Sequence, residues 1–292
     1  MSVPLLDSRA MLDVRPIAGA LGAEVAGIDL SRTLDAREAD AVRAAFRDHL
    51  VLFFRDQRLS PDQQMAFTQN FGPLAKTPFV KPMEGYPYVV RVLKEAEERG
   101  VSTFGNSWHS DFTSLPEPPL GSILHAIEVP DHGGDTMFSN MYMAYDALSP
   151  GMKRMLDGVK SIHVGKPYGT KYGPPKTMKT STSIEIERNR PEADAEVAHP
   201  VVWAHPDTGR KALFVNPIYT LRFENMTEAE SRPLLDFLYD HCIRPEFTCR
   251  FRWTKGAVAM WDNRCTLHYA VNDYDGSRRL MHRTMIAGSR PV

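Results

Sequence analysis

In the run SWHSDFTS a histidine and a carboxylate, His109 and Asp111, stand two residues apart. That pair is either a plain hydrogen-bonded contact or two of the side chains that hold a metal ion. On an extended strand, residues two apart point to one face and can reach a common point. If this segment is a strand, His109 and Asp111 can therefore share one metal ion. A metal needs at least one further ligand. His49, His125, His132, His163, His199, His205, His241 and His282 sit in ordinary strand, turn or helix contexts, where packing or surface roles are expected. His268 differs, because it closes the run MWDNRCTLH just after an apolar segment, 257–261, meets the turn pair Asp262-Asn263.

Two histidines and one carboxylate, two of them close in sequence and one remote, are the ligand set of non-haem Fe(II) oxygenases. That set leaves positions open for a chelating cosubstrate and for O2. Zinc is the rival, but catalytic zinc usually keeps one open position beside a general base. No HExxH motif is present. A cosubstrate such as 2-oxoglutarate would chelate iron through its 2-keto and C1-carboxylate oxygens, leaving a C5 carboxylate to be met by a cation. The planar fork of arginine suits that task. The run RRLMHRTMIAG places Arg279 and Arg283 at even spacing on one strand face with Met281, and Arg278 and His282 on the other. Unpaired buried charge is costly, so two like-facing arginines among apolar residues call for anions. Upstream, Gly133-Gly134-Asp135-Thr136 reads as a turn delivering the Thr136 hydroxyl, a weak signal taken alone.

The elements that must position these groups are mostly strands. GSILHAIEV, HPVVWAH, KALFVN, CRFRW, AVAMW and LMHRTMIAG are short, apolar and separated by turn residues, as is LVLFF at 50–54. Glycines punctuate strand-like alternation in LDVRPIAGALGAEVAGIDL, with no phosphate-loop pattern. Helices are expected over 35–48, from the Ser60-Pro61 cap to about Gly72, and from the capping box Thr227-Glu228-Ala229-Glu230 onward. The pattern predicts a mainly β chain with flanking helices, a sandwich or distorted barrel. No linker divides it, so one domain over 1–292 is expected. The stretch 165–198, rich in Gly, Pro, Lys, Ser and Thr, reads as a solvated excursion or as a lid over a site.

Composition narrows the partners. Of 292 residues, 42% are hydrophobic and 24% charged, with a formal net charge of −1. Such a chain can bury a core, and it lacks the basic surplus that a phosphate backbone demands. Nucleic acid is excluded on that ground. Cys242, Cys249 and Cys265 have no CxxC spacing, which fits a reducing compartment better than a disulfide framework. No run of about 18 apolar residues suggests a membrane span, and the start, MSVPLLDSRAMLDVRP, does not look like a secretory signal. A cytoplasmic protein is expected, with the sequon at Asn225 idle.

Taken together, WHSD, GGDT, WDNRCTLHYAVNDY and RRLMHR resemble, in order, the motifs of the taurine/2-oxoglutarate dioxygenase family, the TauD/TfdA group. Thr136 lies 27 residues after His109, while Arg279 and Arg283 lie 11 and 15 after His268, spacings that also fit. The resemblance runs over nearly the whole chain, including FFRDQRLSPDQQMAFTQNFG and HPDTGRKALFVN. It implies a double-stranded β-helix (jelly-roll) core. It implies Fe(II) held by His109, Asp111 and His268, and 2-oxoglutarate held by Thr136 and Arg279, with O2 as the second cosubstrate. The reaction implied couples decarboxylation of 2-oxoglutarate to succinate with hydroxylation of a substrate C–H bond.

The resemblance also implies a small anionic substrate, with Arg283 against its acid group or beside the cosubstrate. Taurine enzymes carry a histidine and a tyrosine for the sulfonate where this chain has Thr77 and Val80. FGPLAKTPFVKPMEGYP, KEAEERG, TSTSIE and FVNPIYTLR look more like the enzymes that cleave aryloxyalkanoates of the phenoxypropionate type. On that reading Phe79, Val80, Phe112 and Tyr219 line an aryl pocket, and Lys81 and Lys94 are either anion-attracting or simply solvated. The expected activity is then oxidative ether cleavage to a phenol and a keto acid. The alternatives are the same chemistry on taurine, an alkylsulfonate or an alkyl sulfate, and a non-catalytic metal-binding or sensor protein on the same scaffold. Assembly into a homo-oligomer is expected.

Overall fold

The computed structural model describes residues 12–173 and 181–292. Helices begin where the caps predict. Asp35 accepts from the Glu38 amide at 2.9 Å and Glu38 accepts from the Asp35 amide at 3.0 Å, opening Ala36–His49. Ser60 with Gln63 opens Pro61–Gln69, and Thr227 with Glu230 opens Glu228–Cys242. The second helix ends three residues short of Gly72, because the Asn70 side-chain amide donates to the carbonyls of Ala66 and Phe67 and closes the last turn.

The larger sheet has eight strands. Its order is Asp13–Pro16, Ala23–Ala26, Val51–Phe54, Val258–Asp262, Gly121–Glu128, Arg279–Ile286 and Leu74–Ala75, with Val90–Lys94 also pairing with Arg279–Ile286. A second sheet sets Thr136–Asn140 between Thr248–Phe251 and Thr266–Ala270. Aromatic side chains fill the space between these two sheets. Phe53 stacks on Phe251 with ring centroids 3.9 Å apart, and meets Phe138 edge-on at 5.8 Å. Trp261 reaches Phe138 at 5.8 Å and His268 at 4.8 Å. This packed pair of sheets is the jelly-roll core, with helices flanking it. Rings of this size each bury a large apolar area, worth about 25 cal/mol per Å2.

Several elements differ from the sequence reading. HPVVWAH is two strands, Val197–Pro200 and Val202–Ala204, interrupted at Val201. The first pairs with Lys160–His163, which also carries Thr220–Phe223 on its other edge. Neither of these two partner strands stood out in the sequence, and the same holds for the helices Met141–Asp146 and Pro150–Leu156. The signal for the last was present, since Ser149-Pro150 repeats the Ser60-Pro61 cap and Ser149 accepts from the Met152 amide. Among the described residues no helix is long and apolar enough to cross a membrane, and all three cysteines are buried thiols.

The stretch 165–198 is only partly solvated. Residues 174–180 of it lie outside the described residues. Tyr168, Ile184 and Ala193 are buried, and Gly165 donates its amide to the Ala193 carbonyl at 2.7 Å. The chain at 79–81 pairs with 185–187, through Lys81 to Glu185 at 2.9 Å and Glu187 to Phe79 at 2.8 Å. The excursion is thereby tied to the body of the fold.

Candidate active site

His268 sits in the middle of Thr266–Ala270, opposite Phe138. His109 joins it by an isolated antiparallel bridge, with backbone hydrogen bonds of 3.0 and 2.7 Å in the two directions. Over SWHSDFTS the strand-like backbone is no more than that bridge, for the chain turns at Asp111. Phe112 takes up φ 46, the left-handed region that a bulky side chain enters only under constraint. The turn still brings the three side chains together. One ligand-type atom from each of His109, Asp111 and His268 lies within 4.8 Å of the others. Asp111 Oδ1 stands 3.8 Å from His109 Nε2 and 3.9 Å from His268 Nε2. Two donors each about 2.1 Å from a shared ion can span such gaps.

The donor chemistry fits a divalent cation. His109 Nδ1 is 2.7 Å from the Ser107 carbonyl, which can only accept, so Nδ1 carries the proton and Nε2 presents its lone pair. Burial holds both imidazoles below their ordinary range, His268 far below it, and the proximity of His109 adds to that. They are neutral, as ligands must be. Burial alone would raise the Asp111 carboxyl, but the adjacent Arg283 guanidinium is the chief influence that brings it down to about 2. Arg283 Nη1 donates to Asp111 Oδ1 at 3.2 Å.

Arg279 and Arg283 are both buried on the inner face of Arg279–Ile286. On the opposite face, Arg278 points outward to Glu95 and Glu128. Nε and Nη2 of each inner arginine are buried without a hydrogen-bond partner, as is His268 Nδ1. Orphaned guanidinium donors are what a carboxylate or another oxyanion would satisfy. Arg279 lies over Trp253, whose indole N–H donates to Thr136 Oγ1 at 2.9 Å, so one indole links the two residues expected to hold 2-oxoglutarate. The Gly133-Gly134 turn is dictated by close approach. Its residues adopt φ +77 and +67, and a Cβ on Gly133 would stand 2.6 Å from the Asp273 carbonyl oxygen.

A cavity of about 280 Å3 opens onto His109 and Asp111. Its walls include Phe104, Tyr168, Ile184, Ile186, Ile218 and Tyr219. Of the six residues expected to meet substrate, Tyr219 alone is in this wall. Phe79 and Phe112 stack on Tyr168 at 5.0 and 5.9 Å, filling the space behind it. Val80 packs into the main core and bridges Ile186 through its backbone. Thr77 has a buried hydroxyl without a partner, and Arg283 lies beneath the wall, over Phe104 and Phe112. The two lysines are engaged elsewhere, Lys94 with Asp275 at 2.7 Å and Lys81 with Glu185 at 2.8 Å.

Tyr168 and Tyr219 are close neighbours, and burial pushes Tyr168 up to about 12 and Tyr219 well above its usual value. Both phenols are protonated donors. Sequence reasoning passed over Tyr168 because it sits in a Gly-, Pro- and Lys-rich stretch with no strand or helix period. A second cluster, His205, Asp262 and Cys265, also brings metal-type donors together. There Asp262 is already clamped by Arg264 at 2.7 and 2.9 Å and by His205 at 3.1 Å, a buried ion pair that closes the turn bearing Asn263.

Residues 13–285 match the model of the Taurine catabolism dioxygenase TauD, TfdA family. An alpha-ketoglutarate-dependent sulfate ester dioxygenase from Pseudomonas putida is 35% identical, over 96% of this chain and 91% of its own. An alpha-ketoglutarate-dependent 2,4-dichlorophenoxyacetate dioxygenase from Cupriavidus pinatubonensis is 35% identical, over 92% and 95%. Among solved structures, a taurine dioxygenase from Burkholderia xenovorans superposes with a TM-score of 0.81 at 33% identity, covering 97% of this chain and 93% of that one.

Proposed function

The chain belongs to the taurine catabolism dioxygenase family, and from that premise we propose that its substrate is an alkyl sulfate ester, hydroxylated on the carbon that bears the sulfate. As a member of the family it is an Fe(II)- and 2-oxoglutarate-dependent dioxygenase that uses O2. Iron with 2-oxoglutarate and O2 would supply the oxidising power, 2-oxoglutarate losing CO2 to become succinate with one oxygen atom while the other goes to the substrate carbon. The C–H bond becomes C–OH. The product then releases its sulfate as the leaving group and loses the hydroxyl proton, giving an aldehyde and inorganic sulfate.

In this proposal His109, Asp111 and His268 hold the iron, while Arg279 and Thr136 hold the 2-oxoglutarate C5 carboxylate. The observation that carries the substrate reading is Arg283. Its Nη1 is spent on Asp111, while Nε and Nη2 are buried and unpartnered, so an anion belongs beside the metal ligand. The phenols of Tyr168 and Tyr219 add donors in the same region. Desolvating a sulfate is compensated only where such donors wait for it. Ile184, Ile186 and Ile218 offer an aliphatic wall for an alkyl body.

The aryl-pocket reading loses support, because Phe79 and Phe112 are occupied with Tyr168 rather than lining the cavity. It keeps one observation, Phe104 and Tyr219 in the wall, and so stands as the second reading with an aryloxyalkanoate as substrate. Matched turnovers with hexyl sulfate, 2-phenoxypropionate and taurine decide between them. Succinate and inorganic sulfate should appear one for one with hexyl sulfate and fastest of the three. Faster succinate formation with phenol release from the aryloxy acid would overturn the proposal.

A further inference from the structure

Behind Asp111 runs a chain of buried hydrogen bonds whose direction is fixed. Asn263 Oδ1 faces two groups that can only donate, Trp261 Nε1 at 3.0 Å and the Asp111 amide at 3.3 Å. The amide oxygen must therefore occupy that side, which turns Nδ2 toward Ser122 Oγ at 3.4 Å. Ser122 Oγ accepts there and donates its own proton to Asp111 Oδ2 at 2.7 Å. Ser110 Oγ ties the same loop down by donating to the Asn263 carbonyl at 2.6 Å. All these residues are buried, Ser122 completely. Ser122 itself is placed by the sheet, opposite Trp261 on one side and Met285 on the other.

The two oxygens of Asp111 are thus held to different tasks. Oδ2 is engaged by Ser122, whereas Oδ1 faces both histidine Nε2 atoms and accepts from Arg283 Nη1. We infer that Ser122 and Asn263 are positioning residues that restrict Asp111 to a single metal-ligating oxygen. The inference rests on the proposed ligand role of Asp111. A carboxylate with both oxygens free can swing or chelate, taking up a coordination position that the cosubstrate or O2 needs. The Ser122 hydrogen bond to Oδ2, itself held in direction by Asn263, opposes that. Partners of this kind around a metal ligand are typically worth about 10–100-fold in metal affinity.

The test is anaerobic Co(II) binding, by calorimetry and by the visible absorption of the bound ion, in the full chain with and without 2-oxoglutarate. Ser122→Ala should weaken Co(II) about 10–100-fold and alter the cobalt spectrum. Asn263→Ala, which removes the donor to Ser122 without adding charge, should do the same. Asp111→Ala should abolish binding. If Asp111→Ala binds like the parent, the ligand reading itself fails. If Asp111→Ala loses the metal while both Ser122→Ala and Asn263→Ala keep the parent's affinity and spectrum, the positioning inference fails alone. Should one of the two positioning variants not fold, the other carries the same comparison.

Discussion

The site has two walls, and they are built by different means. The wall that carries the candidate iron and 2-oxoglutarate groups stands on paired strands. His268 is fixed opposite Phe138, Thr136 opposite Phe251, and Arg279 and Arg283 by pairing with Val90–Lys94. The wall that closes the cavity is irregular, drawn from 102–107, 166–168, 184–188 and 217–219. It is joined to the body by single bridges such as Val80 to Ile186. A ladder holds side chains to the tolerance that oxidative chemistry needs, while loops can change a substrate without disturbing the metal. Perturbing the first wall should stop the reaction, and perturbing the second should redirect or weaken it.

The largest effect is expected on the first wall, at the cosubstrate. Arg279→Gln removes a buried bidentate donor, and truncating one side of such a charge pair costs roughly 2–5 kcal/mol. The KM for 2-oxoglutarate should rise by at least about 30-fold, with the KM for the organic substrate little changed. Steady-state succinate formation measures both. An unchanged 2-oxoglutarate KM would move the cosubstrate carboxylate to Arg283.

A smaller effect of the opposite kind is expected on the second wall. Tyr168→Phe and Tyr219→Phe each remove one hydroxyl from a pair of neighbouring buried phenols, and a neutral hydrogen bond is worth about 0.5–1.5 kcal/mol. The KM for the organic anion should rise about two- to tenfold in each, with the 2-oxoglutarate KM unmoved. Because the hydroxyls act as a unit, the double variant should fall short of the product of the two. A shift in 2-oxoglutarate KM instead would break the division between the walls.

The same division explains what could be read from the sequence. That His109, Asp111 and His268 converge, and that Arg279 and Arg283 share a buried face, was legible from short motifs and strand alternation, whereas Thr136 rested on the family resemblance. At SWHSDFTS the chain turns instead of running on as a strand, and the convergence holds because the bridge to His268 does the placing. Phe79 and Phe112 were misread for a reason that no local pattern reveals. Both neighbours of Tyr168 come from remote parts of the chain, so their stacking is a tertiary fact. Ser122 and Asn263 were invisible in the same way, being neighbours of Asp111 only across the sheet.

The smallest effect should separate the walls by acid. Beneath the irregular wall, His163 and His199 lie with ring centroids 5.3 Å apart on the neighbouring strands Lys160–His163 and Val197–Pro200. His163 has Thr113 on Nδ1 at 2.9 Å and Ser161 on Nε2 at 3.0 Å. Burial, then the neighbouring His199, holds it well below the ordinary histidine value, and burial lowers His199 as well. The unfolded chain takes up these protons near pH 6.5, while the folded chain refuses them until lower pH. Stability from this source is therefore fully present above about pH 6.5 and declines as pH falls below it. The carboxylates act later. Asp262, which burial would raise but Arg264 and His205 bring down to about 2, loses its contribution only between about pH 4 and that value. The urea midpoint of the metal-free chain should hold steady from pH 8 to 7 and fall from there to pH 5. His163→Asn, which keeps hydrogen-bonding groups but cannot titrate, should show a shallower fall whatever its absolute stability. A parent profile flat down to pH 5, or a variant as steep as the parent, would remove the buried histidines as the acid-sensitive support of that wall.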